Sequence, residues 1–543
     1  MAISGLSASP ALAVADGTVP CTTGSFEIQT NIVISHSSCT GNAVIPDGVT
    51  EIADLAFNRA SGLTSITIPT TVTKIGNSAF GQATSLTSIT IPSSVTSIAM
   101  DAFYLTTSLT SINVDAGNNN YKSVNGVLFD KSGLTIISYP TGINSTSYTI
   151  PSGVITIGSY SFVEASRLTS VTIPSSVTTI KHDAFLSASG LTSLTIPSSV
   201  TTMEDSAFGY TTSLKTVTFE PGSKLTTIGT YAFNGSSALT SIRIPASVVT
   251  IDGDAFDGAT ALAEVTFEPG SNLSTIAEWA FYQASALTSI TIPSSVTTIG
   301  NGAFYDASAL TSVYFLGNAP ATVGVGAFLG AGGQDGATAY KRSSSTGFPN
   351  AGSPWNELTM AIGVYTATFN SNGGSSVAAT DFIKNGAITA PSAPTRSGYK
   401  FAGWSATNGG SVVKFPYSPQ VNADLTLYAK WTSNSITPAT NNTKKSIKFS
   451  TSSSVLTKAN KAALKKLVKL SGKDASYVIT GTAGRLPGVT EAHVKNLAKL
   501  RANVVKDYLV KLGVKKSSIK VKAKVVNQGI VPKTKILTRY LDS

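Results

Sequence analysis

Charged residues make up only 12% of this 543-residue chain. Its polar surface must therefore come from Ser, Thr, Asn and Gly, and that surface is neutral and rich in hydroxyls. No run of 18 or more apolar residues occurs, so the sequence offers no membrane-spanning helix. Histidine is nearly absent: His36, His182 and His493 lie far apart, with two cysteines to help them, and no zinc cluster follows. There is no Gly-Lys-Ser/Thr phosphate loop and no Gly-x-Ser-x-Gly elbow. Asp252, Asp254 and Asp257 stand close together but outside any EF-hand spacing. The expectation is a chain that is not an enzyme and carries no cofactor and no metal.

What the chain has instead is repetition. A 23-residue phrase, Leu-Thr-Ser-Ile-Thr-Ile-Pro-Ser-Ser-Val-Thr-Thr-Ile-Gly-x-x-Ala-Phe, recurs from about residue 45 to residue 340. Its Ile-Pro element or equivalent begins at Ile45, Ile68, Ile91, Ile150, Ile173, Ile196, Phe219, Ile244, Phe267, Ile292 and Phe315. Two spacings are 25, where Phe-Glu-Pro-Gly-Ser replaces Ile-Pro, and one gap of 59 reads as a single irregular, longer coil. A fixed period of this size is a stack of near-identical coils, about twelve here. In Leu63-Thr-Ser-Ile-Thr-Ile68 the apolar residues alternate as in a half-buried strand, and Pro69 ends it for want of a donor. Phe recurs at 57, 80, 103, 162, 185, 208, 233, 256, 281, 304 and 328, which predicts one continuous ladder of core rings.

These residues resemble the BspA-type (Treponema pallidum-type) leucine-rich repeat. The resemblance implies a right-handed solenoid with a parallel sheet on one face. It also implies a surface or secreted protein that binds proteins, matrix or other cells. The outward strand positions form a Ser/Thr ladder: Ser65/Thr67, Ser88/Thr90, Ser193/Thr195 and Thr216/Thr218 are typical. Arg243, Glu264 and Tyr314 interrupt it near one end, and departures of this kind mark candidate ligand-binding residues.

The two ends of the chain differ in charge. From Ile436 to Ser543 there are 20 Lys, 3 Arg and 4 acids, which is +19; the remainder holds 16 basic and 24 acidic residues, which is −8. The basic end is suited to an anionic polymer such as cell-wall material. Nucleic acid is disfavoured, since no row of aromatic residues accompanies the lysines.

Residues 1–15 read as the tail of a secretory signal, with small residues before a cleavage after Ala13 or Ala15 but no basic n-region. Either the true start lies further upstream or the segment is not a signal; the first reading is preferred. Residues 16–44 read as an N-terminal cap. Cys21 and Cys39 flank an alternating stretch from Phe26 to Ile34. A hairpin there brings them together, and export lets them oxidise to a disulfide; the alternative is two free thiols.

The solenoid is expected over 45–345. Residues 364–432 change character, with Asn-Gly-Gly and Ser-Gly turns between alternating stretches, and with Trp404 and Trp431 as the expected small core. The run Gly398-Tyr-x-Phe-x-Gly403-Trp404 and the closing Leu-Tyr428-Ala-Lys-Trp431 are similar to the Listeria–Bacteroides repeat, a small β-grasp-like surface module. A polar linker follows at 433–444. Residues 445–543 read as a β-α-β-α-β order, with helices from Thr457 to Leu470 and from Glu491 to Leu512. The pattern Leu497-Ala-x-x-Arg501-Ala-x-x-Val505 resembles the OmpA-like domain, in which this Arg holds a carboxylate of the peptidoglycan peptide and an Asp holds its amine. Arg501 matches. Gly481 to Arg485 supplies no acid, and Val494 stands where the family has Asn.

The sequence thus predicts a mainly β, exported, cell-surface or secreted binding and adhesion protein. The ligand of its solenoid would be a protein or a glycan, and its basic C-terminal domain would associate with the cell envelope through peptidoglycan or another anionic polymer. The alternative is a structural envelope spacer anchored by the same domain.

Overall fold

The computed structural model describes residues 14–433, 444–450, 453–471, 475–484, 488–526 and 533–539. Most of the signal-like segment and of the linker lies outside these residues. Two compact units divide the chain: residues 1–368 with 378–391 and 414–426, and residues 369–377 with 392–413 and 427–543.

In the first unit each coil lays down two strands, because the phrase holds two apolar alternations separated by Ile-Pro. The longer strand joins a parallel ladder, as where Ser88–Ile91 pairs with Ser111–Val114. The shorter Thr-Ile strand joins a second ladder, as where Thr156, Thr179 and Thr202 follow in register. A third side consists of turns, yet it too is bonded from coil to coil. The Phe amide donates to the carbonyl of the next coil's Ala, from Phe57 to Ala79 and from Phe304 to Ala327. Residues on both sides of the Ala-Phe pair hold positive φ, for example Leu55 at 62° and Arg59 at 64°, and their amides donate to Asn77 O and Gly81 O of the next coil.

The hydroxyls of the phrase reinforce this stacking. Thr110 and Thr192 donate to Thr87 and Thr169 of the preceding coil at 3.0 and 3.2 Å. Ser199 and Ser247 donate to Val177 and Leu225, each at 2.7 Å. Each such bond contributes on the order of 1 kcal/mol. Apolar burial contributes more: the Phe rings from 57 to 304 are almost all fully buried, with centroids 4.6 to 5.8 Å apart.

The expected continuous ring ladder is two ladders. One runs from Phe57 to Phe103 and the other from Phe162 to Phe328. Between them the long irregular coil forms antiparallel strands Tyr121–Val124, Val127–Asp130 and Thr135–Ser138. Side-chain alternation makes the middle strand a partition: Leu128 packs into the first core, while Val127 and Phe129 pack into the second. Tyr139 stands next in line to Phe162, at 5.2 Å.

The stack is capped at its start, and at its far end the long-strand ladder is prolonged. The hairpin Gly17–Gln29 and Ile32–Val44 turns at Thr30 and Asn31, both with positive φ, as a tight primed turn requires. Cys21 and Cys39 are disulfide-bonded across it, with Cα atoms 5.4 Å apart. Its second strand seeds both ladders, pairing Val33 with Ile52 and Ala43 with Ile66, so neither ladder begins with a bare edge. At the far end the first ladder runs beyond residue 345, through Ala337–Lys341 to Leu358–Ile362. The reason is apolar: Leu358 and Met360 are buried in the same core.

In the second unit Trp404 is buried and packs on Phe369 at 4.9 Å and Phe401 at 5.4 Å. Trp431, expected beside it in the core, is half-buried and donates from Nε1 to Ser371 O. The basic segment forms a four-stranded sheet in the order Lys444–Lys448, Lys533–Arg539, Ser476–Gly484, Ile519–Val526. Helices α1 (Lys458–Ser471) and α2 (Glu491–Lys511) accompany it. Leu464, Leu467 and Val468 of α1 are buried, as their spacing predicts. The last strand is described over Lys533–Arg539; residues 540–543 lie outside the described residues.

Phe233→Ala removes a fully buried ring stacked on both sides. It should cost about 3–5 kcal/mol, read as a lowered urea midpoint for the solenoid.

Candidate functional site

The outward positions of the long-strand ladder are in register. Ser193 and Thr195 face Thr216 and Thr218, and Ser241 and Arg243 face Glu264 and Thr266. Arg243 and Glu264 are therefore diagonal neighbours on an otherwise neutral face. Arg243 reaches instead for Glu268, Nε to Oε1 at 3.5 Å, and 62% of its side chain remains exposed. A pair this open contributes little to stability.

Glu268 is a residue that sequence reasoning missed. Its other carboxylate oxygen accepts from the Ala246 amide at 3.2 Å. Glu220, its counterpart in the other 25-residue coil, accepts from Ser198 N at 3.0 Å. Each acid braces the Pro turn of the coil before it. The signal was present in the repeated Phe-Glu-Pro-Gly-Ser.

Tyr314 is not an outward contact residue. It is 9% exposed and stacks on Tyr340 at 4.8 Å. The extra strand Ala337–Lys341 pairs beside it and places one ring on the other. The three ladder-breaking residues thus do not act as one patch: Arg243 and Glu264 are together, and Tyr314 is packed away.

Arg501 sits on α2 and is 1% exposed. Its Nε donates to Ser453 O at 2.8 Å, Nη1 to Thr482 O at 3.1 Å and Nη2 to Ser450 O at 2.8 Å. The Phe449 ring lies 5.5 Å away. The guanidinium ties the segment after the first strand to the strand Ser476–Gly484, with carbonyls where the resemblance implies a ligand carboxylate. Gly481, in the stretch that lacks the expected acid, has no room for a side chain: a Cβ there would lie 2.0 Å from Ala498 O. Val494 is 3% exposed and packs with Ala483 and Ala498. An apolar contact therefore occupies the site of the family's Asn. Arg485 lies outside the described residues.

The described residues hold no group of three or more His, Cys, Asp or Glu placed to bind a metal, and none of their helices is long and apolar enough to cross a membrane. In-register coils with long flat faces define a binding or scaffolding solenoid. A profile of the BspA type leucine rich repeat region matches residues 33–148, 141–240 and 226–332, and the chain belongs to that family. Residues 365–430 match the Listeria-Bacteroides repeat domain and residues 448–540 the OmpA family. These families are of cell-surface and envelope proteins, of binding or structural type, and none is catalytic.

Among solved structures, the chain is similar to a leucine-rich repeat protein from Eubacterium ventriosum, with 26% identity over 54% of this chain and 95% of that one and a TM-score of 0.41. A leucine rich cell surface protein from Faecalibacterium prausnitzii shares 29% identity over 52% of this chain and 61% of its own, with a TM-score of 0.35. The T. pallidum leucine rich repeat protein shares 22% over 40% and 87%, with a TM-score of 0.23.

Arg501→Ala leaves buried carbonyls without donors. It should destabilise the C-terminal domain by at least ~2 kcal/mol, measured by thermal denaturation followed by circular dichroism, and Arg501→Lys should restore only part of the loss because it lacks the planar fork.

Proposed function

We propose that this is an exported, cell-surface binding protein of adhesion type. Its solenoid presents the Ser/Thr face as a recognition surface, and its basic C-terminal domain associates with the cell envelope. The observation that carries the reading is the register of the long-strand ladder. It places an exposed Arg243 beside Glu264 on a flat hydroxyl-rich surface. A protein or glycan ligand meets there an exposed guanidinium and a carboxylate on neighbouring strands, flanked by hydroxyl donors and acceptors.

Envelope association through the lysines suits the C-terminal domain better than peptide capture through Arg501. Twenty lysines follow Ile436, and many on α1 and α2 are exposed, whereas the Arg501 donors are already engaged. The spacer reading draws on one feature: in the regular coils from Ser65 to Thr218 the outward strand positions are all Ser or Thr apart from Asn113.

Arg243→Ser combined with Glu264→Thr separates the two. A binder should lose about tenfold or more in affinity for the partner captured by the intact protein; a spacer should capture the same material unchanged. Attachment to purified cell-wall material should be strong at low salt and largely lost near 1 M, where screening acts within about 3 Å. Salt-resistant attachment would point to a specific pocket instead.

A further inference from the structure

The break between the two Phe ladders encloses a small cavity, lined by Met100, Asp101, Tyr104, Tyr139, Thr141 and Tyr160 among others. It measures about 10 Å³, room for one water-sized group. Two of its lining residues carry a buried polar atom without a partner. Asp101 accepts from Ser78 Oγ at 2.6 Å through Oδ2, but its Oδ1 is buried and unbonded. Tyr139 is only 4% exposed, and its hydroxyl is likewise buried and unbonded. Such groups carry a desolvation cost of roughly 1–3 kcal/mol each when nothing meets them. Met100 is 50% exposed, so the cavity has a rim that reaches solvent.

The field around it is negative. Burial pushes the Tyr160 hydroxyl up to about 12, and the charges of Asp183 and Asp101 add to the effect. Burial also raises Tyr104, with Glu164 and Asp183 adding to the effect. The charged groups that raise these two rings are Asp101, Asp183 and Glu164, and the His182 ring stands edge-on to Tyr160 at 5.4 Å.

We propose that this cavity is a binding site for a primary ammonium group, such as the tip of a partner's lysine side chain. An ammonium is water-sized and has three donors. It can give one to Asp101 Oδ1 and one to the Tyr139 oxygen, beside the Tyr104 and Tyr160 side chains. A water would satisfy the same atoms but leave the carboxylate charge uncompensated. One carboxylate and one hydroxyl fall well short of the six to eight oxygens calcium takes. The site lies on the turn side of the solenoid, not on the Ser/Thr face, so it stands whether or not Arg243 and Glu264 bind anything.

Tyr139→Phe gives a clean test, because the hydroxyl it removes bonds to nothing in the fold. The full-length protein is heated in methylammonium chloride and in sodium chloride of equal ionic strength. The expected result is a higher melting temperature in methylammonium, no such gain in tetramethylammonium, and a roughly tenfold weaker response for Tyr139→Phe and Asp101→Asn. A lysine-containing tripeptide capped at both ends is then compared with its ε-acetylated form. Tighter binding of the free-lysine peptide than of methylammonium assigns the site to a protein lysine; equal binding assigns it to free amines. The proposal is overturned if sodium and methylammonium act alike on the intact protein, or if Tyr139→Phe responds as the parent does.

Discussion

Each coil of this solenoid has an apolar side that it cannot bury alone. Val72, Ile75, Phe80 and Leu86 are all fully buried, but only because the coils before and after cover them. Register between coils is therefore the constraint on which everything else depends. A slip of one residue in any long strand would turn its apolar set outward and separate the rings of the Phe ladder. The coil-to-coil bonds on all three sides, from Phe amides, Thr-Ile strands and Thr and Ser hydroxyls, hold that register directionally, while burial supplies most of the free energy.

The same constraint makes the surface. Once coils are in register, outward residues at one position of the phrase form a column 23 or 25 residues apart in sequence and one strand spacing apart in space. Ser and Thr in those columns keep a long sheet face neutral and hydrated. Substitutions in a column become surface features, which is how Arg243 and Glu264 come to be neighbours. The turn side works differently. Several of its residues sit at positive φ, Tyr160, Glu164, Asp183 and Trp279 among them, and at the irregular coil it opens into the cavity around Tyr139.

The architecture was legible in the sequence wherever the phrase was regular. Period, strand positions, the Pro terminator and the Phe row could all be read, since each residue's role repeats and a local pattern determines it. The irregular coil was legible only as an interruption. That its middle strand divides the core required knowing which way Leu128 and Phe129 point, and alternation does not say which face meets which core. Tyr314 looked outward by parity. A later strand, Ala337–Lys341, supplied the ring that covers it, and no local pattern announced that pairing. Arg501 was recognisable by its motif, but its bonds to the Ser450 and Ser453 carbonyls come from a segment some fifty residues away.

The sequence by itself determined that this chain is a stack of about a dozen coils with a basic module of different period behind it, because hydrophobic periodicity and charge are properties of the chain alone. The tertiary structure alone decided which polar atoms are satisfied and which are not. Tyr139 and Asp101 are 38 residues apart in sequence and line one cavity. Whether a buried oxygen has a partner depends on the packing of several coils at once, and no single stretch of residues encodes it.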